Sequence, residues 1–254
     1  MAVWAMPFWK NMGTTPMLLA MDGQIAPTSL TSLLKLAAYP FTLGLVAAVL
    51  CYLAAGLSLG LFLGPVAAAS LIVPPMVAAA RDRVSAIIVA GSVGDAIGIV
   101  WLFAVLSPDV SIVQWLACYA ILIAYVFGLA GLVWLLRGVI GSLASVSIVT
   151  ITAVAWLAWP VWTSPWLTAP VAAWLSPAHP LLAINHVLLD LGVWTQQPWM
   201  YRHTALGQDV AYTLPTTIWP TLIIHAVMAL GLALPARVEA SPPRSELSPA
   251  PAAP

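Results

Sequence analysis

Charge is what this chain has least of. Lys and Arg together number 8 and Asp and Glu 8, so charged residues make up 6% of 254 while hydrophobic ones make up 62%. A soluble domain carries about 25% charged residues to cover a water-facing surface. So few charges mean that the solvent for this chain is mostly lipid. The charges also cancel to zero, which removes the basic surface that nucleic-acid binding requires. Cysteine is nearly as scarce. Cys51 and Cys118 both lie in apolar runs, where two free thiols packing as small hydrophobes are the simpler reading. No G-x-x-x-x-G-K-[ST] phosphate loop occurs, so the chain has no ATP-hydrolysing motif of that kind. GLSLG (56–60) matches G-x-S-x-G, but a nucleophile elbow needs a strand–turn–helix setting, and Ser58 sits in an apolar run. The chain is not expected to be an enzyme or to hold a cofactor.

What is present is a series of long apolar runs. A membrane span needs about 20 such residues. Six can be read, at 36–56, 61–80, 84–106, 112–136, 139–160 and 217–235. The first two form one run broken within GLSLGLFLGP (56–65), and Pro74-Pro75 is expected to kink the second or end it early. The fold class is therefore all-α, a polytopic bundle of six transmembrane helices.

The basic residues orient it. With the N-terminus inside, Lys10, Lys35, Arg81, Arg83, Arg137, Arg237 and Arg244 fall on the inner side and Arg202 alone on the outer. Such a bias places both termini in the cytoplasm, most simply at a bacterial inner membrane. Trp4, Phe8, Trp9 and Met12 recur at helical spacing before the first span, reading residues 1–35 as an interfacial segment. There is no positive n-region of a secretory signal in residues 1–9. Residues 161–216, between spans five and six, are rich in Trp and Pro but not polar, and 179–194 reads as a helix. Membrane-associated helices are expected there, on the outside. Ten of the 13 tryptophans fall at or beyond the outer boundary, more than an aromatic belt alone requires. Residues 236–254, rich in Pro, Ala and Ser, read as a disordered tail.

Few residues carry candidate chemistry. Asp95 is the sole acidic residue inside an apolar span. A carboxylate at that depth implies a polar helix contact or a wet cavity, so Asp95 is expected to be buried against other helices. Gly91, Ser92, Gly94 and Gly98 beside it would let a helix approach closely. The available partners are the hydroxyls of the fifth span, with Ser145 and Thr152 on one face, and His225 in the sixth. These four form a candidate intramembrane polar site; the alternative for the hydroxyls is a bond to their own helix carbonyls. His179, His186, His203, Asp190 and Asp209 gather in the outer segment without a tight ligand motif, so no metal is expected.

Arg81, Asp82 and Arg83 are the densest charges, on the short inner turn AAARDRVS (78–85). That turn, the helix at 1–16 and the outer segment 161–216 together resemble the permease subunits of ABC exporters of the type-two class. The resemblance is one of layout over residues 1–236. It implies six spans, a coupling contact at Arg81, Asp82 and Arg83 with a separate ATP-binding subunit, homo- or hetero-oligomerisation, and transport of a substrate. Where many of these permeases carry an acidic, basic, Gly-Thr stretch, this chain has Arg81-Asp82-Arg83-Val84-Ser85. With so few charges, the substrate would be apolar or amphipathic. The alternative is a non-catalytic structural or assembly subunit of a larger membrane complex, with 161–216 as a docking surface.

Overall fold

The computed structural model describes residues 30–55, 59–105, 110–162, 168–188 and 215–234. These residues are mainly helical, with no strand among them. The helices are α1 (Leu30–Ala55), α2 (Leu59–Ala78), α3 (Arg83–Val105), α4 (Ile112–Ile140), α5 (Ser142–Trp162), α6 (Ala169–Leu175), α7 (Pro180–Val187) and α8 (Trp219–Ala229). A 3-10 turn, Leu230–Ala233, extends α8. The helices α1 to α5 each hold a stretch long and apolar enough to cross a membrane. The sixth expected span is shorter, an apolar helix of Trp219–Ala233. The expected interfacial helix, Ser58, Arg202, His203, Asp190, Asp209 and the tail lie outside the described residues.

Glycine fixes the registers. A Cβ on Gly94 would collide with Ile123, and one on Gly98 with Tyr119. The GxxxG of α3 therefore packs on α4, antiparallel, by close approach of small residues. Gly64 meets Cys51 across the α1–α2 hairpin. At the α4–α8 contact the backbones nearly touch: a Cβ on Gly128 would lie 3.1 Å from His225 O, while Gly131 faces Met228 O and Gly231 faces Gly131 O. Rising residue numbers match on both helices, so α8 runs parallel to α4.

Two ends result. At one, Arg137 donates to Ala80 O at 2.5 Å and stacks over Trp134, and Arg83 reaches Leu234 O at 3.5 Å. At the other, Ser111 and Gln114 form a capping box that starts α4. Gln114 also donates from Nε2 to Val187 O at 3.0 Å, which ties α7 to the bundle. The α8 helix begins at this end, where Thr221 donates to Pro177 O at 2.6 Å. It finishes at the Arg-bearing end, beside Arg83.

Prolines stand inside these helices without ending them. The α2 helix continues through Pro65, Pro74 and Pro75 to Ala78, so the expected early end does not occur. A proline leaves the carbonyl four residues back without its usual donor, and at apolar depth a neighbour must supply one. Trp101 Nε1 donates to Leu61 O at 2.8 Å, which covers the carbonyl that Pro65 releases. The Trp156 carbonyl released by Pro160 is met by His179 Nε2 at 3.0 Å. The junction of α4 and α5 is one residue, Gly141, at φ 83 and ψ 167. Only glycine adopts that conformation readily, so the break falls at Gly141 and not beside Arg137 as the charge pattern predicts.

Candidate functional site

Among the described residues the bundle holds a cleft of about 170 Å³, floored by α4 and walled by α5 and α8. Tyr125, Leu129, Thr152, Trp156, His225 and Met228 are among its lining residues. Its rim is open: Thr152 is exposed, and Ile224 is 42% exposed. His225 itself is 2% exposed. Its Nδ1 lies 2.7 Å from Thr221 O, and a carbonyl can only accept, so Nδ1 carries the proton. In the neutral ring that leaves Nε2 as the lone-pair nitrogen. The edge of the ring meets Tyr125 at 5.3 Å between centroids and 70° between planes. Tyr125 is held in turn by a 2.7 Å hydrogen bond between its hydroxyl and Ser70 on α2. The cleft is thus apolar, with one oriented imidazole in it, and suits an apolar or amphipathic molecule.

The four residues expected to share a polar site part company. Thr152 and His225 line the cleft. Ser145 is fully buried and donates to Ser142 O at 2.7 Å, so its hydroxyl serves its own helix. Asp95 is elsewhere, and its expected burial is corrected: it is exposed on the outer surface of the bundle. The reason is its place at the seam of α3 and α4. Gly94 and Gly98 face inward onto α4, and Asp95 emerges beside them. There it accepts a 2.5 Å hydrogen bond from the Tyr119 hydroxyl. Tyr119 and Tyr125 lie about 120° apart around α4 at 3.6 residues per turn, so Asp95 and His225 occupy different faces and form no direct pair. A carboxylate facing hydrocarbon near mid-span costs about 2.5–3.5 kcal/mol by insertion scales.

A comparison with family models, curated proteins and solved structures finds no match.

Arg81, Asp82 and Arg83 are all exposed on the turn between α2 and α3. Asp82 works locally, since its Oδ1 accepts from Ser85 N at 2.8 Å and caps α3. The two arginines project from a turn that is pinned by Arg137 at Ala80.

His179 has a role that its spacing in the chain does not reveal. It is fully buried. Its Nε2–H donates to Trp156 O at 3.0 Å, and its Nδ1 accepts from Leu182 N at 3.2 Å, capping α7. Trp156 and Trp159 pack on the ring at 5.6 Å each. Both nitrogens are used in the neutral form, and burial pushes the imidazole down to about 3, with the Trp156 and Leu157 carbonyls offsetting part of the fall. The histidine is a structural pin. Among the described residues no three His, Cys, Asp or Glu side chains group closely enough to hold a metal. Tyr119, Tyr125 and Ser70 escape sequence reasoning, since tyrosine and serine in apolar helices give no signal of their partners.

Proposed function

We propose that this chain is the permease subunit of an ATP-driven transporter that admits an apolar or amphipathic molecule from the bilayer into the cleft between α5 and α8. The observation that carries this reading is the cleft itself, mostly apolar, open at its rim and lined in part by the oriented His225. A hydroxyl or amide on the head of an amphipathic molecule would donate to Nε2 while its chain lies along Leu129 and Met228. The energy source is a separate ATP-binding chain seated on the exposed turn of Arg81, Asp82 and Arg83, as the layout resemblance implies. In this reading α8 completes a sixth crossing. Its contacts with Pro177 at one end and Arg83 at the other support that, despite its length. Both termini then lie in the cytoplasm of a bacterial cell, and the short helices α6 and α7 lie outside.

A second reading is favoured by one specific observation. The exposed Asp95 fits a structural or assembly subunit whose surface is covered by other chains. Purification from native membranes separates the two. A permease should bring down a nucleotide-binding chain whose association weakens at least tenfold in an Arg81→Glu/Arg83→Glu variant, and Ala153→Trp, which fills the cleft, should stop ATP-dependent movement of a fluorescent lipid analogue in vesicles. Recovery of only integral partners, with ATP-independent behaviour unchanged by Ala153→Trp, would favour the structural subunit.

A further inference from the structure

The seam of α3 and α4 carries an inference that holds whichever of those readings is right. Asp95 stands on it, exposed, near the middle of a span-length helix. The surface around it is otherwise apolar: Ile87 and Ile99 on α3 and Leu116 and Ala120 on α4 are exposed. A carboxylate offers about four acceptor positions, and the Tyr119 hydroxyl fills one. Water is not at hand at this depth to fill the rest, so an ionisable side chain there marks a functional contact.

Among the described residues, a second copy of this chain offers no basic side chain at this depth. Its described basic residues, Lys35, Arg81, Arg83 and Arg137, belong to the Arg-bearing end. Arg83 lies roughly 18 Å along α3 from Asp95 at 1.5 Å per residue, beyond the reach of an arginine side chain. Two copies meeting about a two-fold axis at this seam would set carboxyl against carboxyl, with no basic partner for either. His225 faces a different side of the bundle, across α4.

We propose that the α3–α4 seam is the docking surface for a transmembrane helix of a different protein, which places a lysine or arginine against the Asp95–Tyr119 pair. The small Gly91, only partly buried, leaves room one turn away for that helix to lie close. Charge complementarity selects the partner, and the apolar residues on either side provide the packing.

The test places a photo-crosslinking amino acid at Ala120 in the full-length chain in native membranes. The proposal expects an adduct with another integral membrane protein whose span contains Lys or Arg. Asp95→Asn, which keeps shape while removing charge, should reduce that adduct at least fivefold, and Tyr119→Phe, which keeps the charge, should retain it. Asp95→Lys should abolish it, and exchange of the partner's basic residue for Asp should restore it in that background. Adducts with lipid alone or with a second copy of this chain would overturn the proposal. So would a partner lacking a basic residue in its span, or an adduct equally strong in Asp95→Asn.

Discussion

His179 shows how one side chain can serve three needs at once. It covers the carbonyl that Pro160 leaves open, caps α7, and fills the space between Trp156 and Trp159. All three depend on the neutral ring, because a proton on Nδ1 would face the Leu182 N–H. The native state therefore resists protonation, with its value near 3, while the unfolded chain titrates near the ordinary 6.5. Between those values the unfolded chain binds the extra proton, so stability falls as pH falls. Its contribution is complete above about pH 6.5 and drains away toward pH 3, by about 1.4 kcal/mol per pH unit. Thermal unfolding in detergent, followed by tryptophan fluorescence between pH 7 and 4, should show this slope. His179→Gln should be less stable at pH 7 and should flatten the slope by about that amount. An equal slope in the variant would show that the histidine is not the group responsible.

At the scale of elements, the helices are legible as runs but not as faces. The five long runs stand out because their length and apolarity exceed what a soluble helix carries. The GxxxG at Gly94 and Gly98 also announces a close contact. Which side of each helix looks inward is hidden. These helices are apolar all round, so no polar stripe separates the lipid face from the packed face. The cost of a carboxylate in lipid argues for an inward Asp95, yet the residue emerges at a seam. The partnership of Pro65 and Trp101 is equally hidden, since nothing in either residue points across 36 positions to the other. It yields a sharp expectation. Trp101→Phe strips the donor from Leu61 O and should cost about 1–3 kcal/mol. In a Pro65→Ala background the restored backbone N–H meets that carbonyl, and the cost of Trp101→Phe should fall by at least half. Additive effects in this double-mutant cycle, read by thermal unfolding in detergent, would show that the indole does not replace the missing backbone bond.

At the scale of the whole molecule, the bundle has two unlike ends. The described basic residues gather at one, and the short helices α6 and α7 lie at the other. The permease reading needs α8 to carry the chain back to the Arg-bearing end, as its parallel run beside α4 and its contacts at Pro177 and Arg83 support. The charge pattern implies this threading, yet it holds no sign of how short the last helix is. The reason is local: residues 215–218 are not helical, and beyond Ala229 the chain tightens into a 3-10 turn against Gly131. The most direct measurement is side-specific labelling of single cysteines by a membrane-impermeant thiol reagent, in a chain whose Cys51 and Cys118 are replaced by Ala. Cysteines at Ser85, Ser111 and Ser241 report the α2–α3 turn, the start of α4 and the tail. Six crossings predict that Ser85→Cys and Ser241→Cys are labelled from the cytoplasmic side and Ser111→Cys from the outer side. Labelling of Ser241→Cys from the same side as Ser111→Cys would contradict that threading, because α8 would then not complete a crossing.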